Sequence, residues 1–461
     1  GDSAIGAETL LSPRAVAIGA SAARTLLDDG TTLKLYDGGV VTGSLAPPKY
    51  GVSAESLSGP YFFGRTVAYD QVLRVDGAEQ RRGQVRALYG SQALMLTNAS
   101  LNRYEVADVT GTASTRVEVP AQFAPAGADD PAAGVLGFFP PAGATGERRF
   151  RVVAGQKPAN GAIMKAGSDQ AGNVWTLSDG DKPVVCYNYG AVPVPAGVGG
   201  RYAVARSDYV HPLMGPGGET LTYDYSKDHP HHRGLYWAWP ETYWKGQVRD
   251  LHALQGCFAR PVKMRECESG PVWSALTAEN RWMWDDKQPI VHERATIRAF
   301  AQAGGRRCVD FEFIFTALED GVQIATRGQK AYGGFNCRFS ARAGQKIITV
   351  EDKPGAAPRV SAAQIVGTPP GGKGPVAVAI LQSAANPCYP GAWVSYPNLN
   401  WLQPTFPTNG TKYALDKGKP LTLRYRLVVQ AGELDESAQE LLDVIEQDQA
   451  LEQVANVATL P

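Results

Sequence analysis

From Thr31 onward, apolar and polar positions alternate along much of the chain with a period of two, the signature of half-buried strands. Leu33 and Leu35 alternate with polar neighbours and run into an Asp37-Gly38-Gly39 turn. Val309, Phe311, Phe313 and Phe315 form one face of a strand, with Asp310, Glu312 and Ile314 on the other. Leu421, Leu423, Tyr425, Leu427 and Val429 repeat the pattern against Thr422, Arg424 and Arg426. Val291, Ala295, Ile297 and Ala299 share a face with Glu293, a carboxylate that needs a partner if that face is buried. Val174 to Leu177, then Asp179-Gly180, then Pro183 to Tyr189 read as a hairpin. The all-apolar run from Val376 to Leu381 fits a buried strand.

The expected architecture is mainly β: an antiparallel β-sandwich, supersandwich-like, with an additional N-terminal β domain and a C-terminal helix. The boundaries read as an N-terminal segment at 1–30, a β domain at 31–157, a linker at 158–172, the sandwich and catalytic domain at 173–432, and a helix with tail at 433–461. Asp435 would cap that helix, and Leu441, Leu442, Ile445 and Leu451 would supply its apolar stripe.

Composition narrows the function classes. The 461 residues carry 45 basic and 45 acidic side chains, so no basic face directs the protein to nucleic acid. No apolar run approaches the roughly 18–20 residues of a membrane helix, and no membrane insertion is expected. Gly1-Asp2-Ser3 fits either the end left by signal removal or a remnant of expression. The six cysteines form no Cys-x-x-Cys and read as free thiols, with a Cys257–Cys267 disulfide as the alternative in an oxidising compartment.

The candidate chemistry is concentrated. All six histidines lie between 211 and 292, and three fall within Asp228-His229-Pro230-His231-His232-Arg233-Gly234. Imidazole titrates near neutrality and serves as acid, base or metal ligand. In an extended segment His229 and His231 would point one way and His232 the other. The candidate catalytic set is His211, Asp224, His229, His231, His232 and Arg233, with Asp224 setting a histidine's tautomer. His229 and His231 are also candidate ligands for a divalent metal ion. Trp237 and Trp239 are candidates for stacking on a sugar ring. Glu241, Asn336, Arg338, Tyr389 and Asn398 complete the candidate substrate-binding set. Gly333 to Arg338 lacks the features of a phosphate loop.

Tyr209-Val210-His211-Pro212-Leu213, Gly218 to Asp224, the histidine string, Tyr332 to Arg338, Asn386-Pro387 and Leu423 to Arg426 resemble a bacterial family labelled PmoA-like or DUF6807-like, over about 183–432. Asn336-Cys337 before Arg338 departs from its pattern. The PmoA label points to a methane oxygenase subunit, an integral membrane protein, and the missing spanning segment argues against it. The resemblance implies an exported protein, secreted or periplasmic, similar in shape to galactose mutarotase and acting on carbohydrate. The function expected is a carbohydrate-processing enzyme, a glycoside hydrolase or a lyase. The alternatives are a non-catalytic carbohydrate-binding protein and a metal-dependent oxidase or oxygenase.

Overall fold

The computed structural model describes residues 163–302, 305–327, 332–349, 362–383 and 385–434, and the backbone of ten strands between Val16 and Ala154. Its contacts divide the chain into two units. The first comprises Gly1–Ala162, Gly270–Val272 and Asp443–Pro461; the second comprises Ile163–Ser269 and Trp273–Leu442. In the first unit the described strands pair antiparallel, among them Leu33–Asp37 with Val40–Leu45, where the alternating leucines were read as a strand and turn.

The second unit is built on two antiparallel sheets. One has six strands in the order Met164–Ser168, Val174–Asp179, Lys182–Asn188, Tyr209–Leu213, Leu235–Ala238 and Gly334–Cys337. The other has eight, with Trp273–Trp284, Gln288–Phe300, Arg306–Ala317 and Leu421–Ala431 adjacent at its centre. Their apolar faces meet: Trp237 of the first sheet stacks on Phe313 of the second at 4.1 Å, and Phe335 stacks on Tyr425 at 4.9 Å. The period-2 positions Val309, Phe311, Phe313 and Phe315 are all buried in this shared core, as are Leu421, Leu423, Tyr425, Leu427 and Val429. The result is a sandwich-like, mainly β unit.

Several sequence expectations are corrected. A strand, Met164–Ser168, runs through the stretch read as a linker, because Met164 is buried and the segment completes the sheet edge beside Val174–Asp179. The described residues hold no α-helix, and the C-terminal helix expected from Asp435 lies outside them. All six cysteines are free. Cys257 and Cys267 sit at opposite ends of the strand Cys257–Glu268. At roughly 3.3 Å per residue a strand holds such positions far beyond disulfide reach.

Glu293 is fully buried and heavily partnered. It accepts hydrogen bonds from the indoles of Trp237 and Trp282, each at 2.6 Å, and from Asn280 at 3.3 Å. Its carboxyl also bonds that of Asp208, which accepts from the Tyr187 hydroxyl at 2.7 Å and from Asn280 at 2.9 Å. Two carboxyls in hydrogen-bond contact require a proton between them. Burial, then the charge of Glu293, drives Asp208 well above the ordinary carboxylate range; burial likewise raises Glu293. The carboxylate that looked anomalous on an apolar face is therefore half of a proton-sharing pair in the core.

Candidate functional site

The histidine segment is a turn, contrary to the extended geometry expected. The amide of His232 donates to the carbonyl of His229 at 2.9 Å, closing a four-residue turn with Pro230 at its second position. Proline's fixed φ suits that position. Ser226 closes the entry: its hydroxyl donates to the His229 carbonyl at 2.9 Å and accepts the His229 amide at 3.2 Å. The exit is Gly234, at φ +59°, where a Cβ would collide with the carbonyl oxygen of Val210. The turn brings all three imidazoles together instead of splitting them across two faces. His229 stacks on His232 at 4.6 Å, and His231 meets His232 edge-on at 4.5 Å.

A fourth imidazole joins them. His252 lies 5.4 Å from His231 and 5.6 Å from His232, centroid to centroid. Asp250 shapes its turn by accepting the amide of Ala253 at 2.7 Å on one oxygen and Arg327 at 2.7 Å on the other. The Tyr236 hydroxyl stands 2.9 Å from Nε2 of His252. Arg206, itself buried, holds the two loops against each other: its guanidinium donates to the carbonyls of His231 (3.2 Å), His252 (3.0 Å) and Leu251 (2.8 Å). Trp401 packs on His232 at 4.4 Å, and Tyr202 lies 5.1 Å from His231.

Burial sets the electrostatics. It lowers the His231 pKa to about 3, helped by the charge of Arg206 and by His229. Burial also holds His232 and His252 well below the ordinary range, with the neighbouring imidazoles adding to the effect. These three rings are neutral at pH 7. Nδ1 of His231 and Nδ1 of His232 are buried and have no hydrogen-bond partner among the described residues. Toward solvent the cluster is edged by Asp228 and His229, whose side chains are 46% and 39% exposed, with Asp228 Oδ2 3.1 Å from His229 Nδ1. Arg338 lies behind them, 3.3 Å from both oxygens of Asp228. Burial raises the Asp228 pKa, but the neighbouring Ser226 and His229 and the charge of Arg338 outweigh it and hold this carboxylate low. Among the described residues no group of three or more His, Cys, Asp or Glu is arranged to hold a metal ion, His229 and His231 included.

His211 and Asp224 are elsewhere. With Glu219, Thr222, Tyr223 and Ser340 they line an open cleft of about 520 Å³, and none of the four clustered histidines lines it. Thr222 accepts the amide of Leu213 at 3.1 Å and stands 2.9 Å from Nδ1 of His211. Burial lowers the His211 pKa, with Asp224 pulling it back up. Asp224 does not set the tautomer of a clustered histidine, as expected from the sequence. It is held by Arg233, the Tyr209 hydroxyl and the Tyr225 amide. Arg233 is fully buried against the rings of Tyr209 and Tyr225, where it pairs with Asp224.

The expected sugar-stacking residues are largely structural. Trp237 donates to Glu293 and stacks on Phe313; Trp239 is buried and donates to the Phe406 carbonyl at 2.6 Å. Asn336 is buried, its amide spent on the carbonyls of Ala238 and Gly334. Glu241 accepts from Tyr243 at 2.5 Å and pairs with Arg327. Tyr389 is half-buried, and Asn398 is exposed in the short 3₁₀ turn Pro397–Leu399. Only Arg338 of that set borders the cluster. Sequence reasoning missed His252, Arg206 and Tyr236; the confinement of all six histidines to 211–292 was the one signal pointing to His252.

A family model described as "Family of unknown function (DUF6807)" matches residues 175–442. No curated protein matches the chain. Among solved structures, a putative kojibiose phosphorylase from human microbiome is similar at 7% identity and a TM-score of 0.21, over 64% of this chain and 35% of that one. The chain thus spans about a third of that protein's length. No helix among the described residues is long and apolar enough to cross a membrane.

Proposed function

The chain belongs to the DUF6807 family, and we propose that it is an exported carbohydrate-processing enzyme that cleaves or rearranges a glycoside at its histidine cluster. The observation that carries this reading is the pair of buried, unpartnered Nδ1 atoms of His231 and His232. A purely structural knot satisfies its buried nitrogens, because leaving one unpaired costs about 1–3 kcal/mol. Here two remain open beside Trp401, under a rim formed by Asp228 and His229. Neutral imidazoles in that position accept a proton from a substrate hydroxyl or acidic carbon and return it to a leaving oxygen. The sandwich-like unit suits a galactose-mutarotase-like shape, in which one sheet presents such groups.

Within this reading, elimination or rearrangement is favoured over hydrolysis. Hydrolysis by two carboxylates needs a pair flanking the bond. Asp228 is the carboxylate at the rim, and it is engaged by Arg338; Glu241 is tied to Tyr243 and Arg327, and Glu219 lines the other cleft. A second reading, a non-catalytic sugar-binding protein, draws on that open cleft around His211 and Glu219.

The test is a panel of neutral and acidic glycosides incubated with the wild type and with His231→Ala. Product masses separate hydrolysis, which adds water, from elimination, which does not. Turnover lost in His231→Ala supports the enzyme; sugar binding with no turnover by the wild type across the panel moves the assignment to the binding protein.

A further inference from the structure

We infer that the ligand of the histidine cluster carries a carboxylate, as in a uronic-acid glycoside, and that this group seats on Arg338 in place of the Asp228 side chain. The inference rests on the carbohydrate reading above for the rest of the ligand.

Arg338 is only 4% exposed, and its Nε and Nη1 are buried and have no partner among the described residues. Its one ionic contact is long and uses a single nitrogen: both oxygens of Asp228 stand 3.3 Å from Nη2. A guanidinium binds a carboxylate best through two parallel N–H···O bonds from adjacent nitrogens. Asp228 does not make that pair, so the strongest interaction Arg338 offers is unused. Asp228 sits on the exposed rim, where its replacement by another carboxylate requires little rearrangement.

The surrounding charges favour the exchange. Arg233 is matched by Asp224 and Arg327 by Asp250, each in direct contact. Arg206 is bonded to three carbonyl oxygens and touches no carboxylate among the described residues. The imidazoles between Arg206 and Arg338 are kept neutral. An entering anion therefore meets the Arg338 guanidinium beside uncharged imidazoles, with no second carboxylate against Arg338 among the described residues. A carboxylate on Arg338 would also raise the proton affinity of His231 and His232 from its depressed level, bringing them toward the range in which a general base works. Tyr223, 41% exposed, lines the neighbouring cleft and has its ring 5.9 Å from the Arg338 guanidinium.

The experiment is calorimetric binding with uronic-acid disaccharides and neutral disaccharides of matched linkage, with inorganic phosphate as a second anion. The expected result is binding of an acidic sugar that weakens with added salt, falls about tenfold or more in Arg338→Met, and tightens several-fold in Asp228→Asn, which removes the internal competitor. If Arg338→Met does not fold, the salt dependence and Asp228→Asn decide. Neutral sugars binding as well as acidic ones, without salt dependence, overturn the carboxylate seat and leave the carbohydrate reading intact. Phosphate binding without uronide binding overturns the carboxylate class. Unchanged or weaker uronide binding in Asp228→Asn overturns the exchange. No binding of any sugar removes both readings.

Discussion

The imidazoles of His231 and His252 meet edge to face at 5.4 Å because one guanidinium binds the carbonyl oxygen of each residue. Arg206 thus acts on the cluster through the backbone, fixing where two loops distant in sequence place their rings, while its charge lowers the proton affinity of the rings themselves.

Arg206→Met should loosen that join. Three carbonyls lose a charged donor in a buried setting, and the unfolding free energy should drop by about 3 kcal/mol. The pKa values of His231 and His252 should rise, because a nearby positive charge is gone. Urea unfolding and histidine NMR titration read the two effects; unmoved titrations would show that Arg206 does not act on the rings.

His231→Ala should reduce turnover by about 10²–10⁴-fold, the usual range for losing a general acid or base. Stability should change little, since the Nδ1 of His231 makes no bond among the described residues. A parallel loss of folded protein, seen by near-UV circular dichroism, would assign the residue to structure instead.

Acid should destabilise the protein through its histidines. In the unfolded chain a histidine titrates near about 6.5, whereas burial has lowered His231 to about 3 and His232 and His252 well below their ordinary range. Above about pH 6.5 neither state is charged and there is no penalty. As pH falls from there toward 3, the unfolded state binds protons that the folded state refuses, so stability is lost progressively. His232→Gln should reduce the steepness of melting temperature against pH in this window.

The Asp208–Glu293 pair has the opposite sign. Its folded pKa values lie above those of the unfolded chain, so its contribution is complete below about pH 4 and is lost as pH rises through the raised values. Asp208→Asn keeps the shape and a donor toward Glu293 without the second titration. It should flatten the decline of stability on the alkaline side; an unaltered profile would mean that the pair does not share a proton.

Trp237→Phe should cost about 2 kcal/mol by removing the indole donor to Glu293 while keeping a ring against Phe313. Sugar affinity should be unchanged, because this side chain lies in the core. Weakened binding measured by calorimetry would return Trp237 to the substrate-binding set.

Strand identity was legible from residues alone, and so was the crowding of histidines into one stretch. Alternation at Val309 to Phe315 and Leu421 to Tyr425 reports which face is buried, and that information is local because side chains in a strand alternate with every residue; from Tyr425 to Val429 both faces are buried, which alternation does not reveal. The tryptophans show where local reading stops. A tryptophan near histidines looks the same in sequence whether its ring faces solvent or, as for Trp237 and Trp239, the opposing sheet.

Local pattern alone identifies a mainly β chain whose imidazoles are gathered into one stretch, since period and composition are properties of neighbours along the chain. Tertiary structure alone decided which groups share a site. It separated His211 and Asp224 into their own cleft, brought His252 and Arg206 in from other segments, and buried Glu293 with Asp208. Those outcomes depend on turn closure at His229–His232 and on the pairing of strands far apart in sequence, and only folding sets such contacts.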